Sequence, residues 1–174
     1  MPTLEERAKA IRLVCTDVDG VLTTGQLHVG TDGAHTKAFH VRDGAATVYL
    51  QRCGIKVAFI SGLDSPSTWA RAKHLGVVDC FAGNLEKGPV LEQLCAKYGL
   101  APEQVAHLGD DLPDLPILRR VGLACCPEDA VAEVKHACHL IVPVRGGQGV
   151  LRPVAELILK TQNLWDRVVD KYRE

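Results

Sequence analysis

The sequence predicts an α/β fold, a Rossmann-like three-layer arrangement around a mostly parallel sheet, and three observations carry that reading. Short apolar runs alternate with helical patterns along most of the 174 residues. Several of these runs stop at polar residues beside a glycine: Asp17 and Asp19 before Gly20, Ser61 before Gly62, and Asp110 and Asp111 after Gly109. No internal repeat or low-complexity linker breaks the pattern, so residues 1–174 are expected to form one domain, long enough to bury a core without disulfide or metal staples.

Each element has its own local reason. Thr3 and Glu6 have capping-box spacing and open a short helix, which hands over near Arg12 to a strand ending at Asp17. After Leu22 the chain alternates at Leu27 and Val29, turns at Asp32 and Gly33, and alternates again at Phe39 and Val41, which predicts an early β-hairpin insertion. Little else in the sequence covers the hairpin's apolar face, so it suits packing against another subunit. A helix from Asp43 stops at Gly54, and IKVAFI then forms a buried strand. Ser65 and Pro66 start a helix that Gly76 ends, VVDCF makes a third strand, and Lys87 opens a helix through Tyr98.

VAHL is the next strand, and Pro113 and Pro116 keep the helix from about Asp114 to Arg120 short. GLACC and HLIV are two further strands around a helix of residues 128–136. RGGQGV is too rich in glycine for regular structure and precedes a helix from Val150 to Lys160. Leu164, Trp165, Val168, Val169 and Tyr172 recur at helical spacing as a last amphipathic segment.

A net charge of −1 with scattered acidic and basic residues offers no broad field to nucleic acid or an anionic membrane, so any phosphate binding must be local. No apolar run approaches the roughly 20 residues of a membrane span. The opening MPTLEERAKA has no signal-peptide core, and a cytoplasmic location is expected. The seven cysteines are odd in number, form no C-x-x-C pair and mostly lie in apolar segments, so reduced, buried thiols are expected rather than a zinc site.

Chemistry is expected where strands end, because open α/β sheets bind ligands in the crevice beyond the strands' carboxyl ends. Asp17 and Asp19 are two apart and would share a face, an awkward pair unless a cation sits nearby or one carboxyl keeps a proton. Ser61, the Gly62 amide and Lys87 supply donors, while Asp110 and Asp111 add carboxylates of the kind that suit Mg²⁺ and a phosphoryl group. Taken singly, Lys87 reads as a solvated lysine, Ser61 as a cap and Asp110, Asp111 and Asp114 as an acidic turn. Their joint occurrence in this order beside strand ends favours a catalytic reading.

That set resembles the four motifs of the haloacid dehalogenase superfamily of phosphohydrolases, over nearly the whole chain: D-x-D-G-V at Asp17 to Val21, Ile60-Ser61-Gly62, Lys87, and Gly109-Asp110-Asp111 with Asp114. The resemblance implies that Asp17 is a nucleophile forming an aspartyl phosphate and that Asp19 protonates the leaving group and then activates water. It gives Mg²⁺ to Asp17, the Asp19 backbone carbonyl and Asp110, with Asp111 and Asp114 supporting that shell or orienting Lys87. Ser61 would hold a phosphoryl oxygen.

A finer likeness runs through DVDGVLT, the hairpin, His40 to Gly44, Asn84 to Gly88, GDDLPDLP and Arg145 to Arg152. These stretches resemble the 3-deoxy-D-manno-octulosonate 8-phosphate phosphatase family, which implies a capless enzyme that closes its site by forming a homotetramer. No long insertion separates Asp19 from Ser61 or Lys87 from Asp110. Arg42 and Asp43 would then help form the substrate pocket across an interface, and Arg145 with the Gly146 to Gly149 loop would reach a sugar carboxylate in the same way. Read without the resemblance, Arg42 is a surface residue and the glycine loop a connection.

Leu63 stands where that family usually carries arginine, and Thr24 where it often has Asp. A related group acting on sialic-type nonulosonate 9-phosphates also lacks the arginine, so both sugar acid phosphates stay open. Two other classes complete the field. A phosphoacceptor signalling domain shares the sheet, acidic strand ends and a lysine, but places its acidic pair first and its lysine last. A catalytically silent binding subunit is the other, disfavoured by the full motif set.

Overall fold

The computed structural model describes residues 2–173. A six-stranded parallel sheet forms its centre, built from β1 (Leu13–Thr16), β4 (Lys56–Ser61), β5 (Asp79–Ala82), β6 (Val105–Leu108), β7 (Leu123–Pro127) and β8 (Leu140–Val142). Their order is β5-β4-β1-β6-β7-β8, so the chain builds outward from β1 on one side and then returns to build on the other. That reversal beside β1 is the switch point at which such sheets leave a crevice.

β1 is buried at every position because it pairs on both sides, with β4 from Leu13 opposite Lys56 and with β6 from Leu13 opposite Val105. Its alternating side chains feed two cores. Val14 joins Ala8 of α1 (Leu4–Ala10), Leu50 of α2 (Val41–Arg52) and Val154 of α7 (Leu151–Thr161) on one face. Leu13 and Cys15 join Leu91 of α4 (Gly88–Tyr98), Ile117 of α5 (Leu115–Leu118) and Val134 of α6 (Ala132–Ala137) on the other. Buried Leu151, Val154, Ala155, Ile158 and Leu159 form one continuous stripe on α7. The remaining helices are α3 (Pro66–His74), beside the β5 edge, and α8 (Trp165–Val169), which packs on α7.

Most expected elements are present. The Thr3–Glu6 capping box forms both of its bonds, Gly99 ends α4 in the left-handed region at φ 62°, and all seven cysteines are free thiols. Three boundaries differ. The hairpin strands β2 (His28–Val29) and β3 (His35–Thr36) are only two residues each, because they pair with each other and with no third strand. Val41, read as strand, is instead the first residue of α2, capped by His40, whose Nδ1 accepts from the Arg42 amide at 3.2 Å. The helix expected over 128–136 begins only at Ala132. The Glu128 and Val131 amides are taken by the carbonyls of Val144 and Asp110, at 3.1 and 3.0 Å, rather than by helical partners.

Candidate active site

The carboxyl ends of β1, β4 and β6 open onto a cavity of about 420 Å³ lined by Asp17, Asp19, Gly62, Lys87, Asp110, Asp111 and Asp114, with apolar walls from Leu27, Leu63 and Leu85. β1 delivers Asp17 directly, since the Asp17 amide still bonds the Leu108 carbonyl at 2.8 Å as the strand ends. Lys87 arrives from the N-terminus of α4, and Asp110 to Asp114 from the turn after β6.

Lys87 is the hub. Its ammonium is only 3% exposed and donates to Asp17 Oδ1 and, at 2.7 Å, to Asp114 Oδ1. An ammonium has three donors, so one is left for a substrate oxygen. Burial opposes the charge on Lys87, but Asp17 and Asp114 outweigh it and hold the amine above its ordinary range. The same Asp114 oxygen bonds His107 Nε2 at 2.8 Å, while its Oδ2 accepts the Asp110 amide at 3.2 Å. Burial pushes the Asp114 carboxyl up, yet His107 and Lys87 prevail and bring it down to about 2. Asp114 is thus a fixed anion that orients Lys87, and its own side chain folds so close over Gly109 that a Cβ there would lie 2.4 Å from the Asp114 Cβ.

Asp19 is held by residues from two other segments. Its Oδ2 accepts from Lys37 of the hairpin at 2.7 Å and from Ser61 at 3.0 Å, while its Oδ1 has no partner. Ser61 is fully buried, and its hydroxyl lies among Asp19, the Leu63 carbonyl and the Leu63 amide, beneath the cavity rather than in its wall. Gly62, the next residue, does line the wall.

Asp110 rests against Gly20, where a Cβ would come within 2.1 Å of its Oδ2. Asp17, Asp110 and Asp114 each bring a carboxylate oxygen within 4.8 Å of the others. Burial, reinforced by Asp114, pushes Asp110 up to about 7. Burial also drives Asp17 well above its ordinary value, against the pull of Lys87. Anionic groups this crowded must share protons or a cation. The donor set fits a hard divalent ion: Asp17 Oδ2 is buried without a partner, and Asp110 stands beside it. Both oxygens of Asp114 are already engaged, which suits it to support rather than ligation. Asp111 is exposed at the mouth, where its carboxylate caps the following turn by accepting the Leu112 amide at 2.8 Å.

Arg42 and Arg145 do not reach this cavity. Arg42 is exposed at the start of α2, and Arg145 pairs with Asp129 at 3.3 Å with its side chain 69% exposed. The glycine loop nevertheless abuts the site, for the Gly147 amide bonds the Val21 carbonyl at 2.9 Å. Two participants were not anticipated from sequence. His107 carried a signal, being the one ionisable residue in a fully buried strand; Lys37 carried none.

The fold and this arrangement are those of haloacid dehalogenase-like hydrolases, the family whose sequence description matches residues 63–153, and the chain belongs to that family. Its relatives narrow the group. The chain is 40% identical to the 3-deoxy-D-manno-octulosonate 8-phosphate phosphatase of Haemophilus influenzae, over 91% of its own length and 88% of the relative's. The structure of the Yersinia pestis phosphatase of that name superposes with a TM-score of 0.92 at 37% identity, covering 94% of this chain and 88% of the other. That of Moraxella catarrhalis, in complex with magnesium ion, phosphate ion and KDO, gives a TM-score of 0.95 at 36% identity, covering 98% of each chain. Within the hydrolases the chain therefore falls in the 3-deoxy-D-manno-octulosonate 8-phosphate phosphatase group.

Proposed function

We propose that the chain is a Mg²⁺-dependent phosphomonoesterase that hydrolyses 3-deoxy-D-manno-octulosonate 8-phosphate to the free sugar acid and phosphate. The observation that carries this reading is the meeting of Asp17, Lys87 and the Asp110–Asp114 turn at the sheet's switch point. Relatives sharing 36–40% identity bear that activity's name, and one of them holds magnesium, phosphate and KDO.

An Asp17 oxygen attacks phosphorus, the P–O ester bond breaks, and the departing oxygen takes a proton from Asp19. Asp19 then removes a proton from water, which attacks the aspartyl phosphate, releases phosphate and restores the Asp17 carboxylate. Lys87 offers its spare donor to a phosphoryl oxygen, and the Gly62 amide stands in the cavity wall to offer another. Ser61 reaches phosphate only by leaving Asp19. Asp17, the Asp19 carbonyl and Asp110 would hold Mg²⁺, which when bound offsets phosphoryl charge that otherwise repels an anionic attacker.

The chain would act in the cytoplasm as a single capless domain of residues 1–174 and as a homotetramer. Supporting the assembly, the hairpin exposes Leu27 and Val29, 41% and 64% accessible. In such an assembly Arg42 and Arg145 would serve a neighbour's site. Leu63, standing in the wall where the group usually carries arginine, favours a second reading, a nonulosonate 9-phosphate as substrate.

The test is a side-by-side assay of octulosonate 8-phosphate and nonulosonate 9-phosphate, with Mg²⁺ and with EDTA. The higher kcat/KM belongs to the octulosonate, and chelation silences both reactions until Mg²⁺ is returned. Preference for the nonulosonate transfers the assignment to it, and full activity in EDTA removes the metal's role.

A further inference from the structure

We infer that Lys37, delivered by the β2–β3 hairpin, is a positioning residue that fixes Asp19 for proton transfer. The inference rests on the reading of Asp19 as the proton donor to the leaving group.

The Lys37 side chain is fully buried, although it springs from a hairpin whose strands are largely exposed. A buried ammonium is retained only where partners replace water. Two do so here: Asp19 Oδ2 at 2.7 Å and Thr68 Oγ1 of α3 at 3.1 Å. The neighbouring Ser67 hydroxyl donates to the His35 carbonyl at 3.1 Å, so α3 pins the hairpin at two adjacent points. This lysine is therefore held rigidly.

The consequence for Asp19 follows from donor and acceptor identity. An ammonium only donates, so the oxygen facing Lys37 cannot carry a proton toward it. Ser61 also sits on Oδ2, but a hydroxyl can rotate away to bind phosphate, whereas Lys37 has no other acceptor among its contacts than Thr68. Oδ1 is buried and has no hydrogen-bond partner, so the Lys37 and Ser61 bonds to Oδ2 are what fix the carboxyl of this cavity-wall residue.

A purely structural lysine would slow all substrates alike when removed. A lysine that positions the general acid makes a different mark, because a phenolate leaves without protonation while a sugar alkoxide does not. The experiment compares kcat/KM of the Mg²⁺-loaded enzyme for octulosonate 8-phosphate and for p-nitrophenyl phosphate, in wild type, Lys37→Met and Lys37→Arg. Lys37→Met should lose at least about tenfold more on the sugar phosphate than on the aryl phosphate, within the roughly 10²–10⁴-fold range of general acid catalysis. Lys37→Arg should recover part of that difference.

In an Asp19→Asn background the same Lys37→Met change should cost nothing further on the sugar phosphate. Equal losses on both substrates, or an undiminished loss in the Asp19→Asn background, overturn the inference. Thr68→Val asks the same question more gently should Lys37→Met not fold, and an equal loss on both substrates there counts equally against it. Wild-type turnover of neither ester would instead fail the phosphatase reading, which keeps the two outcomes apart.

Discussion

Asp17 pairs with Lys87 through one oxygen and leaves the other buried and unpartnered, so the residue is held in place while keeping a free carboxylate oxygen. Asp17→Asn removes the anionic nucleophile, yet Asp114 remains to neutralise Lys87. We expect phosphate release to fall by roughly 10³-fold or more with an unchanged circular dichroism spectrum; retained turnover would remove the covalent mechanism. Asp17 and Asp110 were legible in the sequence because a strand end is marked locally by where an apolar run stops, and Lys87 through its place between them in the motif order. His107 and Lys37 were not assigned, since each acquires its role only from the partner that folding brings to it, Asp114 across a turn and Asp19 across a hairpin.

Between elements, two close approaches tie the site to its scaffold. A Cβ at Gly146 would lie 2.0 Å from the Gly20 carbonyl oxygen, so the glycine loop after β8 can lie against the turn after β1 only without a side chain. Gly146→Ala should cost about 1–3 kcal/mol of stability and lower kcat. Wild-type melting together with wild-type turnover would show that the loop gives way freely.

The second approach joins α2 to α7, where Asp43, 3% exposed, accepts the Arg152 amide through Oδ1 at 3.2 Å and leaves Oδ2 unpartnered. Burial pushes its carboxyl from 3.8 to about 7. Between those values the folded chain keeps a proton that the unfolded chain has lost, so this residue's contribution to stability falls as pH rises from 3.8 to about 7 and levels off above that, a loss on the order of a few kcal/mol. Asp43→Asn cannot ionise and should gain on wild type in thermal melts between pH 5 and pH 8. A difference that stays constant with pH would refute the assignment. Period-2 alternation had extended the hairpin to Val41; the helix begins there instead, because the His40 side chain caps it.

For the molecule as a whole, the sheet order places the ends of β1, β4 and β6 side by side, and one open cavity results. Among the described residues no helix is long and apolar enough to cross a membrane. Exposed Leu27 and Val29 on the hairpin lead us to expect a fourfold assembly mass in light scattering, lost on Leu27→Asp/Val29→Asp together with much of the activity. A monomeric, fully active wild type would remove both the tetramer and the interface roles of Arg42 and Arg145.

Sequence alone determined the alternation of strands and helices, the polar endings of three strands and the family to which those endings belong, because each is written in near neighbours along the chain. Only the tertiary structure decided that Asp114 is committed to Lys87 and His107, that Ser61 lies under Asp19, and that a hairpin lysine enters the site. Those contacts join residues that only the completed sheet and its returning hairpin bring together. The energy of burying their charges depends on partners that no local pattern can name.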